Sequence, residues 1–153
     1  MIETTFTFVK PYHVPVAYQI LAELDQHGAR LATATVPSVP LEVVELHYSC
    51  HYGKPFFRRI TTDLAGQTLV LAVYEGDNII GRFVEIIGPT DPSKAPKHTI
   101  RGRYSTDSMA QAEIDGRTVR NVIHRSDSQS EADREISLWL QYLPPNFQAA
   151  FRR

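Results

Sequence analysis

The 153-residue sequence predicts an α+β fold, in which one antiparallel sheet of short strands is flanked by helices. Two patterns support this prediction. Side chains of opposite character alternate along 5–10, as in a strand, whereas apolar residues recur at helical spacing within 17–28. Segments of the two kinds follow each other along the whole chain in the order β-α-β-α-β-α-β-α, which is typical of a layered sheet and helix structure.

The alternating and apolar segments are predicted strands. Thr5–Lys10 places Phe6 and Phe8 on one side and ends before Pro11, which cannot donate a backbone hydrogen bond. Residues 68–74 are apolar on both faces, as in a central strand that is covered on both sides. The predicted strands are 5–10, 30–36, 68–74 and 119–123.

The periodic segments are predicted helices, and particular residues mark their ends. Gly28 ends the first, Pro40 lies near the start of the second, and Gly88 ends the third. Ser128 caps the fourth, and Glu131 three residues later completes a capping box. The predicted helices are 17–28, 41–48, 78–87 and one beginning at Ser128, with a buried stripe of Ala132, Ile136, Trp139 and Leu140.

This order of elements resembles a ferredoxin-like sandwich, a four-stranded antiparallel sheet with flanking helices, which we expect on one face. The sequence predicts a polar loop at 88–102, an irregular excursion at 105–116, and a tail from Gln141 that packs on the surface or on a neighbouring subunit. No repeat or low-complexity segment divides the chain. Residues 1–153 are therefore predicted to form a single domain.

Composition disfavours several classes of partner. Sixteen basic and seventeen acidic residues give a net charge of −1, so no basic field indicates a nucleic-acid partner. No apolar run approaches the roughly 20 residues of a membrane helix, and we expect neither a membrane partner nor a signal peptide. Cys50 is the only cysteine, so a reducing, cytoplasmic location without an internal disulfide is expected.

The residues most suggestive of chemistry surround His124, at the end of an apolar run in the segment Asn121–Ser128. A nucleophilic imidazole must be neutral and held in one tautomer. Ser126 and Glu135 are close enough along the chain to orient the ring, and Ser128 is the helix cap. Because most histidines in a domain are structural, these neighbours carry the prediction that His124 is catalytic.

The segment around His124 resembles the active-site signature of nucleoside diphosphate kinases, which carry phosphate on a histidine. Six further segments resemble that family in the same order, over nearly the whole chain. They are 7–11 (TFVKP), 47–48 (HY), 54–57 (KPFF), 74–78 (YEGDN), 88–92 (GPTDP) and 98–102 (HTIRG).

The resemblance implies that the γ-phosphate of a nucleoside triphosphate, typically ATP, passes to a nucleoside diphosphate in a ping-pong reaction through phosphohistidine at His124. It implies a Mg²⁺ cofactor held mainly by the nucleotide phosphates, with no certain protein ligand. It also implies ATP, GTP, ADP, GDP and their deoxy forms as partners, and a homo-oligomer, either a hexamer or a tetramer. The nucleotide-binding residues implied are Lys10, Tyr48, Phe56, Ile60, Thr90, Arg101 and Asn121.

Physical chemistry is compatible with these roles. No Gly-x-x-x-x-Gly-Lys loop is present, so side chains such as Lys10 and Arg101 must bind the phosphates. A base stacked on Phe56, with Ile60 on the other side, would be read by its face, and we expect little discrimination between bases. Asn121 would point away from His124 in a regular strand, so the chain must bend between them.

The sequence departs from the family pattern at positions that concern phosphate binding. Val84 stands where the family carries an arginine that contacts phosphate, and Arg82 lies two residues earlier. Arg125 replaces the small residue that follows the histidine. We expect Arg125 or Arg82 to compensate for the missing charge. The turn after Lys10 is altered, and 105–119 is longer than the usual connection.

Two alternatives remain open from the sequence. A protein of the same fold could bind nucleotides or regulate a partner with weakened catalysis, since fold alone does not establish function. A metal site could instead form at His47, Cys50 and His51, whose spacing places ligands on one face of a helix. No second cluster is present to complete four ligands, and Cys50 is more simply a partly buried apolar residue.

Overall fold

The computed structural model describes residues 1–153 and contains a four-stranded antiparallel sheet. The inner strands are β1 (Ile2–Val9) and β3 (Leu69–Asp77), with β2 (Ala29–Val36) beside β3 and β4 (Ile123–Arg125) beside β1. The strand order is therefore β2-β3-β1-β4, with each adjacent pair antiparallel. The predicted α+β class is confirmed, with the strand order of a ferredoxin-like fold.

The helices lie between and beside these strands. None of them has the length and apolar character needed to cross a membrane. In chain order they are α1 (Ala17–Leu24), α2 (Leu41–His47), α3 (Phe57–Leu64), α4 (Ile79–Ile87), α5 (Ile100–Tyr104), α6 (Met109–Asp115), α7 (Gln129–Trp139) and α8 (Pro145–Phe151).

Helices cover both faces of the sheet, so the prediction of a single covered face is wrong. The inner strands are apolar on both faces: Phe6 and Phe8 of β1 contribute to one buried cluster and Val9 to the other. The first cluster is completed by residues of α2, α3 and α7, and the second by residues of α1 and α4. Burying both faces requires a helical layer on each side.

The pairing of β1 with β4 brings distant segments of the chain together. Phe8 lies directly opposite His124, and Thr7 lies opposite Arg125. Residues opposite each other in a sheet share a face, so His124 lies on the Phe8 face, where α2 and α7 pack. Because β4 is an edge strand, no further strand pairs with its outer side, and segments that follow β3 in the chain can pack there.

The last strand begins later than predicted, at Ile123 and not at 119. Val122 has a φ of +79°, a left-handed conformation that a strand cannot contain. Both Val122 and Ile123 consequently bury their side chains in the same cluster, although neighbours in a regular strand point to opposite faces. The expected bend between Asn121 and His124 is therefore present.

Several segments are more regular than the sequence indicated. Ser108 accepts a hydrogen bond from the backbone of Gln111 and begins α6 within the predicted excursion. Helix α5 lies at the end of the predicted 88–102 loop, and α3 was not anticipated. The tail forms α8, whose Phe147 reaches the core. The apolar pattern is weak in α6, which buries only Ala112, whereas α3 has an apolar stripe of Phe57, Ile60 and Leu64 that was overlooked.

Candidate active site

A cleft of about 440 Å³ opens at the C-terminal end of β1, beside the start of β4 and between α3 and α6. Nine of the ten site residues predicted from the sequence line it, although they come from segments far apart in the chain. The tenth, Ser126, is 1 % exposed and lies behind the lining residues. The nine are Lys10, Tyr48, Phe56, Ile60, Thr90, Arg101, Asn121, His124 and Glu135.

His124 is held by Glu135, which projects from α7. Nε2 of the imidazole lies 2.8 Å from Oε2 of the carboxylate. The hydroxyl of Ser126 donates to the other carboxylate oxygen at 2.6 Å and accepts the backbone N–H of Phe6 at 3.1 Å. The ring of His124 also stacks on Phe8, with centroids 4.9 Å apart and an interplanar angle of 24°. The predicted set of three residues is therefore assembled.

These contacts determine which nitrogen of His124 carries the proton. A carboxylate accepts hydrogen bonds, so the proton of a neutral ring lies on Nε2, facing Glu135. The lone pair is then on Nδ1, which has no hydrogen bond to protein. Burial, followed by the positive charges of Lys10 and Arg101, lowers the pKa of His124 well below its ordinary value. The ring is neutral at physiological pH, as a nucleophile requires.

His47 is a further part of the site, although the sequence placed it only in a family segment and in the alternative metal set. Its Nδ1 accepts the indole N–H of Trp139 at 3.0 Å, so the ring proton lies on Nε2. That nitrogen is buried without a hydrogen bond, 3.5 Å from Oε2 of Glu135. The rings of His47 and His124 meet edge to face, with centroids 4.4 Å apart. Burial lowers the pKa of His47, which keeps it neutral beside Glu135.

Lys10, Asn121 and Thr90 form a connected polar wall. The ammonium group of Lys10 donates to Oδ1 of Asn121 at 2.5 Å, and the amide of Asn121 donates to the carbonyl of Thr90 at 2.9 Å. Burial and the nearby charge of Arg101 lower the pKa of Lys10 to about 7. The left-handed conformation of Val122 directs the side chain of Asn121 toward Lys10. This bend places the polar wall next to His124, which follows two residues later.

Arg101 is buried and fixed by the backbone. Its Nε, Nη1 and Nη2 donate to the carbonyls of Asn121, Gly88 and Ile123 at 2.9, 3.0 and 2.7 Å. A guanidinium has five N–H donors, so each terminal nitrogen keeps one donor for another acceptor. Burial and the charge of Arg125 lower the pKa of Arg101 to about 10, and it stays positive at neutral pH.

The outer part of the cleft has an aromatic floor. Phe56 is 44 % exposed, which is unusual for a ring of this size, and Ile60 lies one helical turn along α3. Tyr48 is buried near His124, and burial raises the pKa of its hydroxyl, which therefore remains a hydrogen-bond donor. An exposed aromatic side chain next to several hydrogen-bond donors is suited to bind a planar, polar ligand.

The segment that was predicted to be an irregular excursion supplies the opposite wall. Met109, Ala112 and Glu113 of α6 line the cleft, as do residues 117–119. Glu113 is bound to Arg59 of α3 at 2.8 Å, which connects the two sides of the cleft. Sequence reasoning missed this wall because only one residue of α6, Ala112, is buried and no apolar stripe marks the helix.

The two candidate substitutes for the missing arginine lie in different places. Arg125 lines the cleft, whereas Arg82 is exposed on α4 and is not among the lining residues. Of the two arginines expected to compensate for the missing charge, only Arg125 is positioned to do so.

One group of potential metal ligands is present: His47, His124 and Glu135, whose ligand atoms lie within 4.8 Å of one another. However, Trp139 fixes the proton of His47 on Nε2, and His124 presents its own Nε2 proton to Glu135. The two Nε2 atoms that face Glu135 therefore carry protons and offer no lone pair to a metal ion shared with that carboxylate. The group serves as a hydrogen-bonded cluster.

The alternative metal set of His47, Cys50 and His51 is not assembled. His47 is buried on α2, whereas Cys50 lies outside that helix and is exposed, contrary to the expected partial burial.

Similarity to known proteins establishes the family of this chain. The model of the nucleoside diphosphate kinase family matches residues 3–143. The chain belongs to the nucleoside diphosphate kinase family. It is 35 % identical to a nucleoside diphosphate kinase of Staphylococcus epidermidis over 139 residues, 90 % of this chain and 87 % of the relative. It is 33 % identical to one of Rhodococcus jostii over 149 residues, 95 % of this chain and the whole relative.

Solved structures of the nucleoside diphosphate kinase family share the fold. A structure from Borrelia burgdorferi, described as a transition state mimic with bound vanadate and ADP, has a TM-score of 0.85 at 24 % identity and covers 90 % of this chain and 86 % of its own. One from Halobacterium salinarum, in complex with CDP, has a TM-score of 0.75 at 26 % identity, with 94 % and 92 % covered. Membership makes this chain a phosphotransferase that acts on nucleotides.

Proposed function

We propose that this protein transfers the γ-phosphate of a nucleoside triphosphate to a nucleoside diphosphate through a phosphohistidine at Nδ1 of His124. The observation that supports this assignment is the contact of Nε2 with Glu135, which leaves the Nδ1 lone pair free and directed by a fixed ring. Ser126 holds the carboxylate in place. As Nδ1 bonds to phosphorus, the imidazole gains positive charge, and Glu135 stabilises it.

Phosphate binding is assigned to Lys10, Arg101 and Asn121, with hydroxyl donors from Tyr48 and Thr90. Arg101 is positive and buried, and Lys10 is partly buried and positive below its pKa of about 7. Both side chains are held by fixed partners, so they need little reorganisation to bind a polyphosphate. Phosphoryl transfer depends mainly on such positioned charge. Phe56 and Ile60 form the surface on which a base of any type can stack.

Kinases of this family need a divalent metal ion, and we propose Mg²⁺. The residues present fit an ion held by the nucleotide, because the two Nε2 atoms that face Glu135 in the one group of potential metal ligands both carry protons. When bound, Mg²⁺ would neutralise charge on the β- and γ-phosphates. We name no protein residue as a direct ligand.

The finer biological assignments are also proposals. We propose that ATP, GTP and their deoxy forms serve as donors and the corresponding diphosphates as acceptors, that the chain forms a homo-oligomer, and that residues 1–153 act as one domain. An exposed, unpaired cysteine persists in reducing surroundings, and Cys50 therefore supports a cytoplasmic location.

Incubation with γ-labelled ATP and Mg²⁺ tests this function. We expect a label on the protein that is lost in acid, survives base, and is released by added nucleoside diphosphate as labelled triphosphate. His124→Ala should abolish the label, whereas His98→Ala, at an exposed position outside the cleft lining, should retain it. Binding of nucleotide without any label in the wild-type protein would favour the nucleotide-binding or regulatory alternative.

A further inference from the structure

Arg125 reaches the cleft beside His124, and most of its hydrogen-bonding capacity is unused. Its guanidinium makes one hydrogen bond, from Nη1 to Oδ1 of Asp127 at 2.9 Å. The Nε of Arg125 is buried and has no partner. The side chain of Arg125 is 13 % exposed, whereas that of Asp127 is 82 % exposed. An ion pair with so exposed a partner contributes little, so Asp127 can be displaced by a stronger acceptor.

The surroundings of Arg125 are rich in positive charge. Arg101 is close enough for the charge of Arg125 to lower its pKa, and Lys10 and Arg125 both contribute to the lowered pKa of His124. Asp127 is the carboxylate that opposes these charges at both Arg101 and His124. Like charges at close range repel, and an anion placed among them removes that repulsion.

Arg125 lies next to the proposed nucleophile in the sheet. It follows His124 directly in β4, opposite Thr7 of β1, and β4 is an edge strand. Its side chain starts on the face opposite to that of His124, and the open edge allows it to reach the same cleft. The guanidinium and the imidazole of two consecutive residues therefore line the same cleft.

We propose that Arg125 binds the phosphoryl group that is transferred, and that it acts with Lys10 and Arg101 as a third cation of the site. This inference rests on the proposed phosphotransfer at His124. In that step the bond from Nδ1 to phosphorus forms while the bond from phosphorus to the bridging oxygen breaks. The nucleoside diphosphate leaves with the electron pair of that bond, and Arg125 donates to non-bridging oxygens of the moving group.

Variants of two arginines provide a matched test. Arg125→Ala removes the cation, Arg125→Lys keeps the charge without the fork of donors, and Arg82→Ala removes an exposed arginine outside the cleft. We expect Arg125→Ala to slow single-turnover phosphohistidine formation from ATP by about 10- to 100-fold. Arg125→Lys should fall between this variant and the wild type, and Arg82→Ala should match the wild type.

Equilibrium binding gives a second readout that does not require turnover. We expect Arg125→Ala to weaken binding of the non-hydrolysable β,γ-imido analogue of ATP by about tenfold or more and to leave ADP binding within about twofold. The difference between the two ligands isolates the terminal phosphate, and equal melting temperatures of the three variants would establish that they are folded.

The two measurements separate this inference from the proposed function. Wild-type labelling that depends on His124, together with unchanged labelling and analogue binding in Arg125→Ala, would overturn the role of Arg125 alone. Equal weakening of both ligands would also overturn it, because a structural effect has no preference for the terminal phosphate. If the wild type takes no label, the proposed function fails, and the selective loss of analogue binding still decides the role of Arg125.

Discussion

Oε2 of Glu135 lies 2.8 Å from Nε2 of His124, and this contact joins helix α7 to the edge strand β4. The carboxylate is buried, and burial raises its pKa, whereas the hydrogen bond donated by the Ser126 hydroxyl favours its charged form. A charged acceptor at this position fixes the tautomer of His124 and balances the charge that the ring gains during transfer. Removal of the charge should therefore affect the chemical step.

Glu135→Gln is expected to lower kcat by about 10- to 100-fold and to change KM much less, because Glu135 acts through His124 and is not assigned to the nucleotide. Steady-state kinetics with ATP and a nucleoside diphosphate provide the measurement. Asp133→Asn is the matched control, since it neutralises an exposed carboxylate on the same helix. A kcat for Glu135→Gln within twofold of the wild type would refute the orienting role.

His47→Phe is expected to destabilise the fold by about 1–3 kcal/mol, because the indole N–H of Trp139 loses its buried acceptor. His47→Gln retains an acceptor of similar reach and should recover part of that loss. Denaturant unfolding measures both. The expected order is wild type, His47→Gln, His47→Phe. If Trp139→Phe destabilises the His47→Phe variant as much as it destabilises the wild type, the unpaired indole is not the cause.

Nucleotide affinity is expected to fall as the pH rises above about 7. Lys10 is positive only below its lowered pKa of about 7, so at higher pH binding must be accompanied by proton uptake. The decrease approaches tenfold per pH unit and ends at the higher pKa that Lys10 has beside bound phosphate. Isothermal titration with ADP between pH 6 and 9 tests this. Lys10→Arg should flatten the profile, and an unchanged slope would assign the titration to another group.

Val122→Gly is expected to be more stable than Val122→Ala by about 1 kcal/mol, although glycine removes one more buried atom. Both variants lose apolar burial, since Val122 is fully buried. Alanine must still adopt a φ of +79°, which glycine adopts without strain. Thermal or urea unfolding compares them. Greater stability of the alanine variant would show that the left-handed backbone costs little here.

The sequence was informative where side-chain pattern and position agree. Alternation in β1 separated Phe6 and Phe8 from Val9, and the structure places them in two different clusters. The Ser128 cap and the buried stripe of α7 are present. Side chains alternate between the two faces of a strand, so a bend was also expected between Asn121 and His124, and it occurs at Val122.

The sequence was poor where an element has little apolar pattern of its own. Helix α6 buries only Ala112 and was not predicted. Helix α3 was also missed, although its Phe57, Ile60 and Leu64 recur at helical spacing, because charged and polar residues separate them. Their positions depend on contacts with other elements, such as the pair of Arg59 with Glu113 and the backbone N–H of Thr118 bound to Asp63. Local pattern cannot register such long-range contacts, and α6 was therefore missed as a wall of the cleft.

The sequence by itself determined the class of the fold, the family resemblance and the identity of the candidate site residues, because these depend on residue types and their order. Only the tertiary structure decided which nitrogen of His124 is free, that Trp139 fixes the ring of His47 beside Glu135, and that Arg125, not Arg82, reaches the cleft. These are relations between segments separated by many residues. Strand pairing and helix packing create them, and they set the protonation and charge on which the proposed chemistry depends.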